Sequence, residues 1–148
     1  MTPRARRMGP SRTAARRWSH RARPSDDVGG EMLEIQVEQS DDYTVCRPVG
    51  ELDAYTVNQF RETLASFAGV PRLVIDLSLV PFMDSAGLGA LIGGIRRARE
   101  NDGEVAVACN RPTLTRLLHT TGFDRIVEVT ETLDGAIDAV QAAGSPRD

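Results

Sequence analysis

RLVIDLSLVPFMDSAGLG, Arg72 to Gly89, is the stretch that decides how this chain folds. Leu73 to Leu77 is apolar on both faces apart from Asp76, the pattern of a central parallel strand covered on both sides. A short apolar loop follows. Asp84-Ser85-Ala86-Gly87 then opens a helix reaching about Glu100, with Leu88, Leu91, Ile92 and Ile95 inward and Arg96, Arg97 and Arg99 outward. The order strand, loop, helix sets one small hydroxyl, Ser85, at a helix N-terminus beside the Asp84 carboxylate, on a loop that must reach the surface. Unpaired backbone N–H groups and the positive end of the helix dipole meet there. A phosphoryl group on Ser85 would be tolerated, yet would change the surface offered to a partner. Asp and Ser are also the preferred N-caps of any helix, so a purely local role stands beside the functional one.

Working outward, Leu33, Ile35 and Val37 alternate with Glu34, Gln36 and Glu38, a half-exposed strand. Tyr43, Val45, Arg47 and Val49 continue as a second strand after the Ser40-Asp41-Asp42 turn, giving an antiparallel hairpin. Pro48 belongs near an edge or strand end. Thr56-Val57-Asn58-Gln59 fits a capping box, and Val57, Phe60, Leu64 and Phe67 recur at helical spacing up to Gly69 and Pro71. After the central strand and its helix come a strand at 104–109 and a helix with Pro112 in its first turn and Gly122 as its stop. A short strand, Ile126 to Val129, and a helix capped by Thr130 and packed through Leu133, Ile137 and Val140 complete the pattern. The expected fold class is α/β: a single domain, with a mixed, mostly parallel sheet, an antiparallel strand at its start and about four helices.

The chain has 148 residues, 41% apolar, enough for one domain with a core of its own. Its net charge of −3 hides an asymmetry: residues 1–31 hold eight arginines against Asp26, Asp27 and Glu31, whereas the rest is acidic. All eighteen basic residues are arginine, which fits GC-rich codon usage better than selection for phosphate binding. Residues 1–31 read as a disordered basic tail, poor in large apolar residues except Met8 and Trp18, and the folded domain as 32–148. The tail can be a passive appendage, an electrostatic binder, or a mis-assigned start. Gly29-Gly30-Glu31 directly precedes Met32, and Gly-Gly-Glu codons can spell a ribosome-binding site. Cys46 and Cys109 are isolated in apolar runs, the usage of core thiols in a reducing cytoplasm. No run approaches the roughly 20 apolar residues of a membrane span.

Few chemistries survive this reading. Gly87, Gly89, Gly93 and Gly94 lie inside the helix rather than before it, in neither GxxxxGK[ST] nor GxGxxG form, so a nucleotide loop is not expected. At roughly 1 kcal/mol each against alanine they need an offsetting reason, and close approach of another helix or a partner supplies one. Ser85 as a catalytic nucleophile lacks a base: His20 is in the tail and His119 is on another helix. The GxSxG elbow fails because Met83 stands two before Ser85. No metal spacing occurs. The expectation is a protein that is not an enzyme and takes no cofactor or metal, with no direct nucleic-acid or membrane partner.

A second block, Val49-Gly50-Glu51-Leu52-Asp53-Ala54-Tyr55-Thr56, sets Asp53 at another strand-to-helix junction. If the two strands are neighbours, Asp53 and Asp84–Ser85 share one end of the sheet, outside the strand carboxyl ends where such folds bind ligands. With both blocks in register, residues 32 to about 142 resemble the STAS-domain anti-sigma factor antagonists (anti-anti-sigma factors) of bacteria. Gly50-Glu51-Leu52-Asp53 matches their first motif and Phe82 to Gly89 the more specific second. The resemblance implies a partner switch. An anti-sigma factor with ATP-dependent serine-kinase activity would bind the unmodified protein, releasing its sigma factor, and would phosphorylate Ser85 to end the complex. A PP2C-type phosphatase would reset it. Asp53, Asp84, Ala86, Gly87, Leu88 and Gly89 would form the partner-binding set. Ala86 stands where the family usually has Ser or Thr, which leaves the acceptor position intact. A STAS module of a stressosome or transporter-associated complex is the alternative.

Overall fold

The structure is a computed structural model describing residues 33–144, so the arginine-rich tail, Met32 and the last four residues lie outside the described residues. β1 (Glu34–Gln39) and β2 (Thr44–Val49) form the antiparallel hairpin, with Ile35 opposite Pro48 and Val37 opposite Cys46. Then come α1 (Val57–Ser66), β3 (Arg72–Asp76), α2 (Ser85–Glu100), β4 (Glu104–Ala108), α3 (Pro112–Thr120), β5 (Glu128–Thr130) and α4 (Leu133–Gly144). The five strands lie in chain order, β1-β2-β3-β4-β5, and every pairing after the hairpin is parallel. The expected α/β class with a mixed, mostly parallel sheet and four helices holds.

Strand order dictates where the helices go. Crossovers between successive parallel strands have one hand, so strands laid down in sequence put their connecting helices on one face. The main core lies there, with Ile35, Cys46, Leu73, Ile75 and Val107 of the sheet against Phe60, Leu64, Leu91, Ile95 and Leu118 of the helices. α4 follows the last strand and covers the other face, where Val45, Val74, Ala106 and Ala108 meet Ala136 and Val140. β3 is therefore apolar on both sides, as its sequence requires. Asp76, 4% exposed at its end, is neutralised by Arg47 of β2 at 2.9 Å. Burial of a carboxylate demands such a partner.

Both cysteines are core thiols, 0% and 1% exposed. Burial pushes the Cys46 thiol up to about 12, against the smaller lowering effect of Arg47, so it stays protonated. Pro48 sits where the parallel pairing with β3 has already ended at Cys46, so no ladder bond is lost there.

Three local expectations change. Thr56 does not cap α1 through a capping box: its hydroxyl accepts from Asp53 N–H and donates to the Glu51 carbonyl, and Gln59 turns away to the Leu33 carbonyl. The last strand is Glu128–Thr130 rather than Ile126–Val129. Gly122 (φ 79°) leads into a 3-10 turn, Phe123–Arg125, and the N–H groups of Ile126 and Val127 both return to the Phe123 carbonyl. Buried Val127 is a core residue of that turn. The cap of α4 is Thr132, whose hydroxyl accepts from Gly135 N–H at 2.9 Å, while Thr130 donates to the Thr132 carbonyl.

Candidate functional site

β2 and β3 are parallel neighbours, so the loops leaving them emerge side by side. Gly50, at φ 126°, turns the first loop where a side chain would be strained. Its N–H donates to the Leu79 carbonyl (3.2 Å), Leu52 N–H to the Phe82 carbonyl (2.9 Å) and Asp84 N–H to the Leu52 carbonyl (3.1 Å). Leu52 and Met83 thus form an isolated parallel bridge, and both side chains are buried, at 0% and 4%. One residue beyond that bridge on each side stand Asp53 and Asp84. The two motifs, whose bridged residues Leu52 and Met83 are thirty-one positions apart in the chain, are zipped into one surface.

Each carboxylate already has work within the fold. Asp53 Oδ1 accepts from the N–H groups of Tyr55 (2.9 Å) and Thr56 (3.2 Å), and its carbonyl starts the first turn before α1. Asp84 is the N-cap of α2: extended, with Oδ1 accepting from Gly87 N–H at 3.0 Å and its carbonyl accepting from Leu88 N–H at 2.9 Å. The local role allowed for Asp84 is therefore present. It leaves Ser85 as the first helical residue, exposed, at the positive end of a sixteen-residue helix. The loop entering α2 is pinned further back as well: Asp76 Oδ1 accepts from Ser78 N–H (3.0 Å), and Arg111 Nε donates to the Ser78 carbonyl (2.9 Å).

The candidate residues divide by burial. Ser85 and Gly89 are exposed, and Asp53, Asp84 and Ala86 are half-buried. Gly87 and Leu88 point inward: Gly87 is packed against Leu52 and Leu88 is 8% exposed in the core, so neither side of that pair belongs to the outer face. Their effect on the face is through the shape of the loop they support. The signal that the sequence reading left unused is the apolar loop itself. Leu79, Phe82 and, across the zip, Tyr55 are exposed at 43%, 47% and 88%. Val80 and Met83 of the same loop are buried, so alternate members of an apolar run face opposite ways.

His119 lies in the last turn of α3, at the opposite end of the sheet, paired with Asp124 at 2.9 Å and largely exposed. It is no base for Ser85. Among the described residues no cluster of His, Cys, Asp and Glu could hold a metal ion, and no helix is long and apolar enough to cross a membrane.

The STAS domain family model matches residues 34–136. The chain belongs to the STAS-domain family of anti-sigma factor antagonists. It is 31% identical to the anti-sigma-B factor antagonist of Staphylococcus aureus over 101 residues, 67% of this chain and 94% of that one. The crystal structure of an anti-sigma factor antagonist from Mycobacterium paratuberculosis superposes with a TM-score of 0.69 at 31% identity, over 74% of this chain and 95% of the other. SpoIIAA of Bacillus, solved in its phosphorylated form, has a TM-score of 0.57 at 26% identity, covering 72% of this chain and 98% of that one.

Proposed function

We propose that the chain is an anti-sigma factor antagonist switched by phosphorylation of Ser85. Unmodified, it binds an anti-sigma factor in the cytoplasm and frees the sigma factor. That partner, acting as a serine kinase, phosphorylates Ser85 and is released, and a PP2C-type phosphatase restores the hydroxyl. The chain itself is a phosphoacceptor and a binding surface, not a catalyst. The observation that carries this reading is an exposed serine at the first position of α2, on a face built by zipping two loops together. The relatives' names agree with the binding role, and SpoIIAA in its phosphorylated form agrees with the modification.

The physics of the switch is local. A phosphate adds about −1.5 to −2 charges at neutral pH, beside Asp84 and one loop from Asp53. Unpaired N–H groups at the start of α2 accommodate it without refolding. In an interface packed over Ala86 and Gly89 it would have to be desolvated. A loss of about 3 kcal/mol weakens binding about a hundredfold.

The test is phosphorylation and binding together. With the kinase and ATP, mass spectrometry is expected to find one added phosphate, on Ser85, and none in Ser85→Ala. Ser85→Ala should bind the anti-sigma factor as the wild type does, and Ser85→Asp at least about tenfold more weakly. Efficient phosphorylation elsewhere in Ser85→Ala, or equal affinity of the two variants, would refute the switch. Asp53→Asn and Asp84→Asn keep the cap oxygen, so they should lower binding or phosphotransfer with little change in melting temperature. We place the whole switch in the domain, so a chain beginning at Met32 should fold and switch as the full chain does.

A further inference from the structure

Four large apolar side chains are exposed among the described residues, and three of them, Tyr55, Leu79 and Phe82, come from the two loops beside Ser85. Clustering of this kind marks an interaction surface rather than scatter. The hydrogen bonds that zip the loops run through the backbones of Leu79 and Phe82, so these side chains and Tyr55 are presented at one end of the sheet. The core beneath is complete without them, filled by Leu52 and Met83.

Tyr55 is 88% exposed, yet its backbone is firmly held. Its N–H and that of Thr56 both donate to Asp53 Oδ1, and the buried Thr56 hydroxyl ties Asp53 to Glu51. A ring presented on a rigid turn loses little freedom when a partner covers it. The loops carry Glu51, Asp53 and Asp84 and no basic side chain between Gly50 and Thr56 or between Leu77 and Ser85. Exposed apolar side chains on loops that carry only acidic charge fit a protein that offers an apolar pocket with Arg or Lys beside it. A polyphosphate backbone would be repelled.

We propose that Tyr55 and Phe82 are the anchors by which this face holds its protein partner, supplying affinity that the charge on Ser85 overrides. The proposal rests on the switch reading and adds a division of labour: the rings set how tightly the partner is held, and Ser85 sets whether it is held. Interfaces concentrate their energy in a few such aromatic residues, surrounded by contacts that matter less.

The probe is the anti-sigma factor kinase captured by the wild-type chain, purified and titrated by calorimetry. Tyr55→Ser and Phe82→Ser are each expected to weaken binding at least about tenfold, with unchanged melting temperatures, while Tyr55→Phe stays near wild type. Ser85→Asp should still lower affinity in the Tyr55→Ser background, because the charge acts whether or not the ring is present. Ring variants that bind as tightly as wild type, while Ser85→Asp still weakens binding, would overturn the anchors and leave the switch standing. A wild-type chain that binds no anti-sigma factor, or whose affinity Ser85→Asp leaves unchanged, would overturn the switch and the anchors with it. A wild-type dimer in sedimentation that Tyr55→Ser dissociates would assign the face to a second copy and overturn the proposal.

Discussion

The inner and outer faces of α2 use the same residue for opposite reasons. A Cβ on Gly87 would lie 2.5 Å from the Leu52 carbonyl oxygen, and one on Gly94 would lie 2.6 Å from Leu64 Cδ1 of α1. On the outer face a Cβ on Gly89 or Gly93 would meet nothing within 4 Å. The inner pair lets the fold close, with Gly87 seating the loop of the first motif and Gly94 seating α1. The outer pair costs helix stability and gains no internal packing for it. A close approach from within explains half of the glycines. The other half are left for whatever approaches from outside.

Substitutions can break or sharpen this contrast. The largest effect should come from Gly87→Ala, because the obstacle is backbone. Overpacking there should cost about 1–3 kcal/mol, and pushing the two loops apart should weaken partner binding in parallel, measured by chemical denaturation and calorimetry. Gly94→Ala meets a side chain rather than backbone, buried Leu64 from Cδ1 at 2.6 Å to Cβ at 3.0 Å, and the gain in helix propensity, about 1 kcal/mol, offsets part of the clash. A smaller loss of stability with binding intact is expected. Gly93→Ala should stabilise the protein by up to about 1 kcal/mol, read as a rise in denaturant midpoint. Gly89→Ala should raise the midpoint by a similar amount and, lying beside Ser85, reduce partner affinity. Equal destabilisation by all four substitutions would erase the distinction between the faces.

Much of this was legible in the chain. The alternation of Leu33, Ile35 and Val37, the two-sided apolarity of β3, and the helical spacing of Val57, Phe60 and Leu64 each report burial that local period alone encodes. The errors fall where a hydroxyl has more than one backbone partner in reach. Thr56 and Thr130 both sit near a helix start, but the choice of cap depends on which N–H groups the preceding turn leaves open, and at α1 that turn begins at Asp53. Ile126 and Val127 read as strand because they are apolar, yet they finish a turn launched by left-handed Gly122. At the candidate site, Ser85 and the two aspartates were legible as motif positions. The inward turn of Leu88 was legible from helical spacing, but the outward turn of Phe82 was not, since a large apolar residue in an apolar loop has no period to fix its side.

Sequence alone determined the period of the longer elements, their order, and the placement of a small hydroxyl one residue after a helix-capping carboxylate. These are local properties, set by side-chain spacing and by which residues can start a helix. Tertiary structure alone decided that Arg47 meets Asp76, that Leu52 pairs with Met83, and that Gly87 must yield its side-chain space to a loop thirty-five residues earlier. Such contacts join residues far apart in the chain, and they arise only once parallel pairing of β2 with β3 has brought both loops to the same end of the sheet.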